Sequence, residues 1–110
     1  MLIVGGGVDS SLLSRVYGAV SAAVSYALFL NRSCGCAETW LIPNRFRLRV
    51  YVSRLGKAYH ARAEVLDRDG RTVVEVGDLC AGSITALKRG LTIRLIETLQ
   101  TFEKLDRALP

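Results

Sequence analysis

Residues 45–79, RFRLRVYVSRLGKAYHARAEVLDRDGRTVVEVGDL, decide the fold class of this chain. Basic and apolar side chains alternate from Arg45 to Val50, which is the pattern of a strand with one solvent-exposed face and one buried face. Leu55-Gly56-Lys57 is a turn sequence, and Asp67-Arg68-Asp69-Gly70 is a strong hairpin signal. The stretch therefore predicts three consecutive antiparallel strands. They run over Arg45–Leu55, Ala58–Leu66 and Arg71–Leu79.

A long helix is predicted before these strands, over residues 8–30. Its residues are apolar on almost every side, which is typical of a helix surrounded by protein. Small residues along it let a sheet approach closely: Gly18, Ala19, Ala22 and Ala23. The uncharged run Val16–Leu30 is shorter than the roughly 20 residues that a membrane span needs. We interpret it as a core helix and not as a membrane or export segment.

A second helix is predicted after the strands. Apolar residues recur every three or four positions from Ile84 to Phe102, which predicts an amphipathic helix over 84–107. Gly90 weakens its middle by roughly 1 kcal/mol relative to alanine. The least regular stretch of the chain is 31–44, where a short strand is predicted around Glu38–Ile42.

Composition indicates one globular domain over residues 1–110. Half of the 110 residues are hydrophobic, so the chain can fill a single core but not two. The net charge of +5 raises the expectation of a polyanionic partner, such as nucleic acid or an acidic ligand. Basic residues on solvated strand faces are the simpler explanation of the same charge.

The chain has three cysteines, an odd number that, without a secretory signal, predicts a cytoplasmic protein with mostly reduced thiols. Two of them form a Cys34-Gly35-Cys36 pair, which fits a disulfide or free loop thiols. A structural zinc needs about four ligands. With a single histidine, His60, and no second cysteine pair, a structural zinc would require ligands from a partner subunit, and no metal site is predicted.

The N-terminal stretch Gly5-Gly6-Gly7-Val8-Asp9-Ser10-Ser11 resembles the phosphate loop of ATP pyrophosphatase enzymes, with Gly5 at the place of the leading serine. Such a loop needs a parallel, doubly wound sheet, because it lies between a strand and a helix in a nucleotide crevice. The predicted strands are antiparallel, so this interpretation is not favoured.

The order of several motifs resembles the acyl-CoA thioesterases of the hotdog fold, in the phenylacetate-degradation type. A glycine pair, Gly6-Gly7, opens the long helix, Arg54-Leu55-Gly56-Lys57 turns between two strands, and Asp67–Arg71 forms the next hairpin. The resemblance covers roughly residues 4–81. It implies an α+β fold with an antiparallel sheet wrapped around the long apolar helix, here with an extra C-terminal helix, and a homodimer or larger homo-oligomer.

The resemblance also implies a site at the start of the long helix. Gly6, Gly7 and Val8 would bind the substrate, because backbone N–H groups at a helix N-terminus polarise a thioester carbonyl. Ser14 stands where the family has its catalytic carboxylate, and Gly5 stands where it has a histidine. Asp9 is the nearby acidic residue, either as a catalytic group or as the helix cap.

Arg54, Gly56 and Lys57 are further substrate-binding candidates, where the two cations would meet CoA phosphates. The strand face formed by the arginines at 45, 47 and 49 is a candidate for the same phosphates, and the other interpretation of all these residues is a solvated sheet surface. No cofactor is implied beyond the CoA of the substrate.

Two alternatives stay open beside an acyl-CoA thioesterase-like protein that hydrolyses or merely binds its ligand. The tail from Gly70, with GRTVVEV and LTIRLIETLQTFEKLD, resembles the last hairpin and helix of the small dimerising subunit of the KEOPS tRNA-modification complex. That likeness implies a non-catalytic assembly subunit. The net charge also fits a small basic nucleic-acid-associated protein, although interleaved aromatic residues are missing.

Overall fold

The computed structural model describes residues 10–31 and 33–108, with side chains over 13–31 and 33–98. The described residues form a helix, four strands and a second helix. These are α1 (Ser10–Leu30), β1 (Cys34–Ile42), β2 (Phe46–Leu55), β3 (Ala58–Leu66), β4 (Thr72–Ala81) and α2 (Ile84–Ala108). The strands form one antiparallel sheet in the order β1-β2-β3-β4. The predicted α+β class with an antiparallel sheet is confirmed.

Both predicted hairpins are present, and glycine makes each turn. Gly56 between β2 and β3 has a φ of 64°, and Gly70 between β3 and β4 has a φ of 84°. Side chains other than glycine rarely adopt this left-handed region. In the second turn the Asp67 carboxylate accepts hydrogen bonds from the backbone N–H groups of Asp69 and Arg71, both at 2.9 Å. The turn sequences therefore identified the hairpins correctly.

Strand β1 begins at Cys34, earlier than the short strand that the sequence predicts around Glu38–Ile42. Its extent is determined by hydrogen bonding to β2 and not by its amino-acid composition. It pairs with β2 from Cys34 opposite Ser53 to Ile42 opposite Phe46. Its inward residues are mostly small, and its outward residues carry no regular apolar pattern. A strand of this composition is set by its neighbours, which a single-sequence pattern does not show.

The two helices cover the same face of the sheet, α1 over β1 and β2, and α2 over β4 and β3. Helix α1 turns two rows of residues toward the sheet, each with a spacing of four. These are Val16, Val20 and Val24, and Ala19, Ala23 and Ala27. Helix α2 buries Leu87, Leu91 and Leu95. Alternate residues of the strands face the helices and are buried in the same core, among them Leu48, Val50, Val52, Ala61, Ala63 and Val65.

The prediction that protein surrounds α1 is wrong for one copy of the chain. The predicted small residues Ala19 and Ala23 do face the sheet, but Gly18 and Ala22 are exposed. Phe29 is 82% exposed on the outer side of the helix. The segment Leu13–Leu30, of mean hydropathy 1.3, is also long and apolar enough to cross a membrane, a property that core helices share.

The closest approach between α1 and the sheet lies at Gly35. A Cβ atom built on Gly35 would overlap the carbonyl oxygen of Ala27 and lie 3.1 Å from that of Asn31. Only glycine therefore lets β1 pass this turn of the helix. Gly90 has a related role in α2, because a Cβ there would lie 2.6 Å from a methyl group of Leu79.

We expect Gly35→Ala to lower the free energy of unfolding by about 3 kcal/mol, the upper end of what overpacking costs, because helix backbone would have to move. Gly18→Ala is the matched control. Gly18 lies inside α1 with no atom within 4 Å of a built Cβ, so alanine there should stabilise the protein by about 1 kcal/mol. Urea unfolding followed by circular dichroism measures both changes. Equal effects of the two substitutions would contradict the close approach at Gly35.

Candidate functional site

A groove lies between α1 and α2 on the side of the helix layer that faces away from the sheet. Its volume is about 370 Å³. Six residues line it: Leu13, Ser14, Tyr17, Arg89, Thr92 and Ile93. We call it the helix groove. Its walls are mainly apolar, since Leu13, Tyr17 and Ile93 are 47%, 39% and 59% exposed.

The polar groups of the helix groove are two hydroxyls and one guanidinium. Ser14 is exposed, whereas the Thr92 hydroxyl is buried and donates a hydrogen bond of 2.7 Å to the carbonyl of Lys88. Arg89 is exposed and forms no ion pair with any carboxylate whose side chain the structure describes. Its positive charge is therefore available to an anionic group in the groove.

None of the six residues that line the helix groove is a carboxylate or an imidazole. His60 lies on β3 between the inward residues Tyr59 and Ala61, so it projects from the opposite face of the sheet. A neutral serine hydroxyl is a poor base at neutral pH. The described residues of the groove thus suit binding better than general acid–base catalysis.

The residues that the hotdog resemblance implied fall into three groups. Gly6, Gly7, Val8 and Asp9 lie outside the described residues. Ser14 lies in the helix groove. Arg54, Gly56 and Lys57 form the exposed turn between β2 and β3, where the Arg54 Nε donates a 3.2 Å hydrogen bond to the Gly56 carbonyl.

The structure does not bring Ser14 to that turn. The end of β2 pairs with the start of β1, so the turn lies at the end of the sheet where α1 stops. Ser14 precedes Leu30 by 16 residues, which at a rise of about 1.5 Å per residue is about 24 Å along the helix axis. The two predicted parts of one site are therefore separate surfaces.

The face of the sheet away from the helices, which we call the open face, carries a network of paired charges. Arg47 and Arg49 approach the Glu38 carboxylate at 3.3 and 2.9 Å, and Arg49 lies 3.7 Å from Glu64. Tyr51 donates a 2.8 Å hydrogen bond to Glu64. Two of the three arginines of the predicted phosphate-binding face, Arg47 and Arg49, thus already pair with carboxylates of the same sheet.

This network was missed from the sequence because it depends on strand register. Glu38, Arg49 and Glu64 are cross-strand partners on three neighbouring strands. The hydrogen bond from Tyr51, followed by that from Thr72 and the charge of Arg49, holds the pKa of Glu64 below its ordinary value, although burial acts in the opposite direction. The same carboxylate is buried, and it is satisfied by these partners.

The three cysteines are free and exposed. Cys34 and Cys36 lie on the open face on either side of Gly35, and burial raises the pKa of the Cys36 thiol. Cys80 is the cross-strand partner of His60, whose Nε2 lies 3.0 Å from an Asp78 carboxylate oxygen. Among the residues that the structure describes, no three His, Cys, Asp or Glu side chains lie close enough together to hold a metal ion.

Comparison with models of known protein families, with curated proteins and with solved structures found no match to this chain.

Sequence reasoning placed Ser14 among the candidates but missed Arg89, Thr92 and Ile93. For Ile93 the sequence did contain a signal, because an apolar residue that lies outside the buried face of an amphipathic helix indicates an exposed apolar contact. The buried face of α2 carries Leu87, Leu91 and Leu95, and Ile93 lies outside it. No sequence pattern indicates that this side of α2 meets Leu13 and Tyr17, because the two helices come together only by packing on the same face of the sheet.

We expect Tyr51→Phe to lower the free energy of unfolding at neutral pH by about 1–2 kcal/mol, because it removes a hydrogen bond to a buried carboxylate. The lowered pKa of Glu64 stabilises the fold above the ordinary value of 4.5, and this contribution is lost as the pH falls through the folded-state pKa. The difference between wild type and variant should therefore shrink in acid.

The control is Tyr26→Phe, since Tyr26 has no hydrogen-bond partner among the residues that the structure describes. Chemical unfolding at a series of pH values measures both variants. A Tyr51→Phe deficit that stayed constant into acid would refute the assignment of this effect to ionised Glu64.

Proposed function

We propose that this protein binds an acyl-CoA thioester, or an acyl ligand with a similar anionic head, in the helix groove, and that it acts as a homo-oligomer. In this proposal it is a divergent, hotdog-like relative of the acyl-CoA thioesterases with weak hydrolysis or none. Free cysteines agree with the expected cytoplasmic location.

The observation that supports the proposal is one groove that combines apolar walls with Arg89, a cation that pairs with no carboxylate among the described side chains. Leu13, Tyr17 and Ile93 offer contact to an acyl chain, and Arg89 offers a charge to a phosphate or thioester oxygen. Small-molecule sites are typically apolar concavities with a few placed polar groups. A groove of about 370 Å³ lies at the small end of such sites.

Weak hydrolysis follows from what the groove lacks among its described residues. General acid–base assistance contributes about 10²–10⁴-fold to rate. Ser14 occupies the place of the family's carboxylate and lies in the groove, but it has no described base beside it to take its proton. Asp9, outside the described residues, is the remaining candidate near the start of α1.

We expect Arg89→Ala to weaken acyl-CoA binding about tenfold, the effect of losing one charge-assisted contact of about 1.4 kcal/mol. Lys57→Ala is the matched control, since it removes one exposed positive charge from the other predicted anion site. Isothermal titration calorimetry with a medium-chain acyl-CoA measures both. If Lys57→Ala weakened binding and Arg89→Ala did not, the ligand would bind at the turn between β2 and β3 and not in the helix groove.

We expect thioesterase turnover on a panel of acyl-CoAs to be weak or absent. The assay is release of free CoA thiol, with Asp9→Asn and Ser14→Ala measured beside the wild type. Robust wild-type turnover that neither substitution changes would mean that the catalytic site lies elsewhere. Turnover that only Asp9→Asn abolishes would identify Asp9 as the base.

A second candidate function is the non-catalytic, dimerising assembly subunit. The observation in its favour is the outer side of α1, where large apolar side chains stay exposed in one copy of the chain, Phe29 at 82%. A stable dimer that binds neither CoA nor acyl-CoA would favour this function. A nucleic-acid-associated role has less support, because Arg47 and Arg49 on the open face already pair with Glu38 and so offer less positive charge to a phosphate backbone.

A further inference from the structure

The helix groove has a direction, because the two helices that form it run antiparallel. Helix α1 ends, and α2 begins, at the end of the sheet where β1 begins and β4 ends. The Lys88 Nζ donates a 2.8 Å hydrogen bond to the Ser25 hydroxyl, so these two residues lie at the same height along the helix pair. From this contact, the helical rise of about 1.5 Å per residue gives the order of the lining residues along the groove.

The cation and the apolar residues of the helix groove occupy different positions along it. Arg89 is the residue after Lys88, whereas Leu13 precedes Ser25 by 12 residues. Arg89 and Leu13 therefore mark opposite ends of the groove, on the order of 15 Å apart along the helix axes. The residues between the two ends line the groove with mainly apolar surface: Tyr17, Thr92 and Ile93.

The charge on α2 changes sign in the same direction. Lys88 and Arg89 pair with no carboxylate among the described side chains. Glu97 follows Arg89 by eight residues, which is about two turns toward the Leu13 end, and it is exposed. An anionic group is therefore attracted to the Arg89 end of the groove and repelled near its other end.

From this polarity we infer that the ligand of the helix groove is a medium-chain acyl carboxylate, that is, a free fatty acid. Its carboxylate binds Arg89 and its tail runs along the groove toward Leu13. The inference rests on the proposed function, since it requires an acyl ligand in this groove, and it narrows that ligand to one chemical class.

A carboxylate fits the groove better than a CoA thioester because its charge is attached directly to the acyl tail. Arg89 adjoins the apolar walls, and a guanidinium binds a carboxylate with two parallel hydrogen bonds. In an acyl-CoA the thioester is uncharged, and the pantetheine arm separates it from the nearest phosphate. With its tail between the helices, an acyl-CoA would give Arg89 a neutral thioester oxygen and no ion pair.

The middle and the far end of the groove suit the tail. The Thr92 hydroxyl donates its hydrogen bond to the Lys88 carbonyl at 2.7 Å, so it does not present an unsatisfied polar group to a methylene chain. Each methylene that leaves water on binding raises the affinity at most about fourfold. Affinity should therefore increase with chain length until the tail reaches Leu13, and longer acids should gain little more.

The first test compares ligands that share one tail and differ in the head. Isothermal titration calorimetry at neutral pH, below micelle formation, uses decanoate, decan-1-ol, decylamine and decanoyl-CoA. We expect decanoate to bind at least about tenfold tighter than decan-1-ol, the effect of one charge-assisted pair. It should also bind tighter than decanoyl-CoA, and decylamine should bind most weakly.

Arg89→Gln should abolish the advantage of decanoate over decan-1-ol. Arg15→Gln is the matched control, because Arg15 is also exposed and the substitution removes the same charge. Arg15 lies two residues from both Leu13 and Tyr17, which at about 100° per residue places it on the opposite side of α1 from the groove. The control should leave the binding of decanoate unchanged, and circular dichroism checks that both variants are folded.

The second test determines which way the ligand lies. Leu13→Lys removes an apolar contact at the tail end, so it should weaken the binding of dodecanoate about threefold or more. It should leave the binding of hexanoate, whose tail is too short to reach this end, unchanged. Stronger binding of both acids to Leu13→Lys would show that the head lies at the start of α1, and the inferred orientation would be wrong.

The outcomes separate the inference from the proposed function. Decanoyl-CoA that binds tighter than decanoate would overturn the inference and leave the acyl-CoA proposal standing. Decylamine that matches decanoate, or decanoate that binds wild type and Arg89→Gln equally, would also overturn it. If neither decanoate nor decanoyl-CoA bound, both the inference and the proposed function would fail.

Discussion

The contact between Gly35 of β1 and the backbone of α1 at Ala27 is the constraint on which the rest of the structure depends. A strand passes this close to a helix only where neither has a large side chain at the contact. Here Gly35 packs against a row of alanines with a spacing of four. The contact holds α1 over β1 and β2. The remaining two strands are then covered by α2, and the helix groove forms where the two helices run side by side.

The sheet separates two kinds of chemistry. Its inner face is apolar and buried beneath the helices, whereas its open face pairs arginines with glutamates across three strands. The net charge of +5 therefore does not give an unpaired basic surface there. Tyr51 and Thr72 complete the network by donating hydrogen bonds to Glu64, which offset the cost of burying this carboxylate.

Two exposed features are prominent among the described residues, the helix groove and the outer side of α1. The helix groove joins apolar walls to Arg89, which pairs with no carboxylate among the described side chains, and this combination supports the proposed ligand with an apolar tail and an anionic head. The outer side of α1 carries exposed apolar side chains in one copy of the chain, with Phe29 at 82% exposure.

The sequence by itself determined the α+β class, both hairpins, strands β2 to β4 and the two helices, because these rest on local signals. Alternation marks the strands, glycine and aspartate mark the turns, and a spacing of three or four marks α2. The extent of β1 was decided by pairing with β2, since its composition carries no strand signal. Tertiary structure alone decided that α1 keeps an uncovered side, that Ser14 lies with Arg89 and not near Lys57, and that Glu38 and Glu64 share Arg49. Each of these depends on which residues of distant segments meet across the sheet or between the helices, and local periodicity holds no information about such contacts.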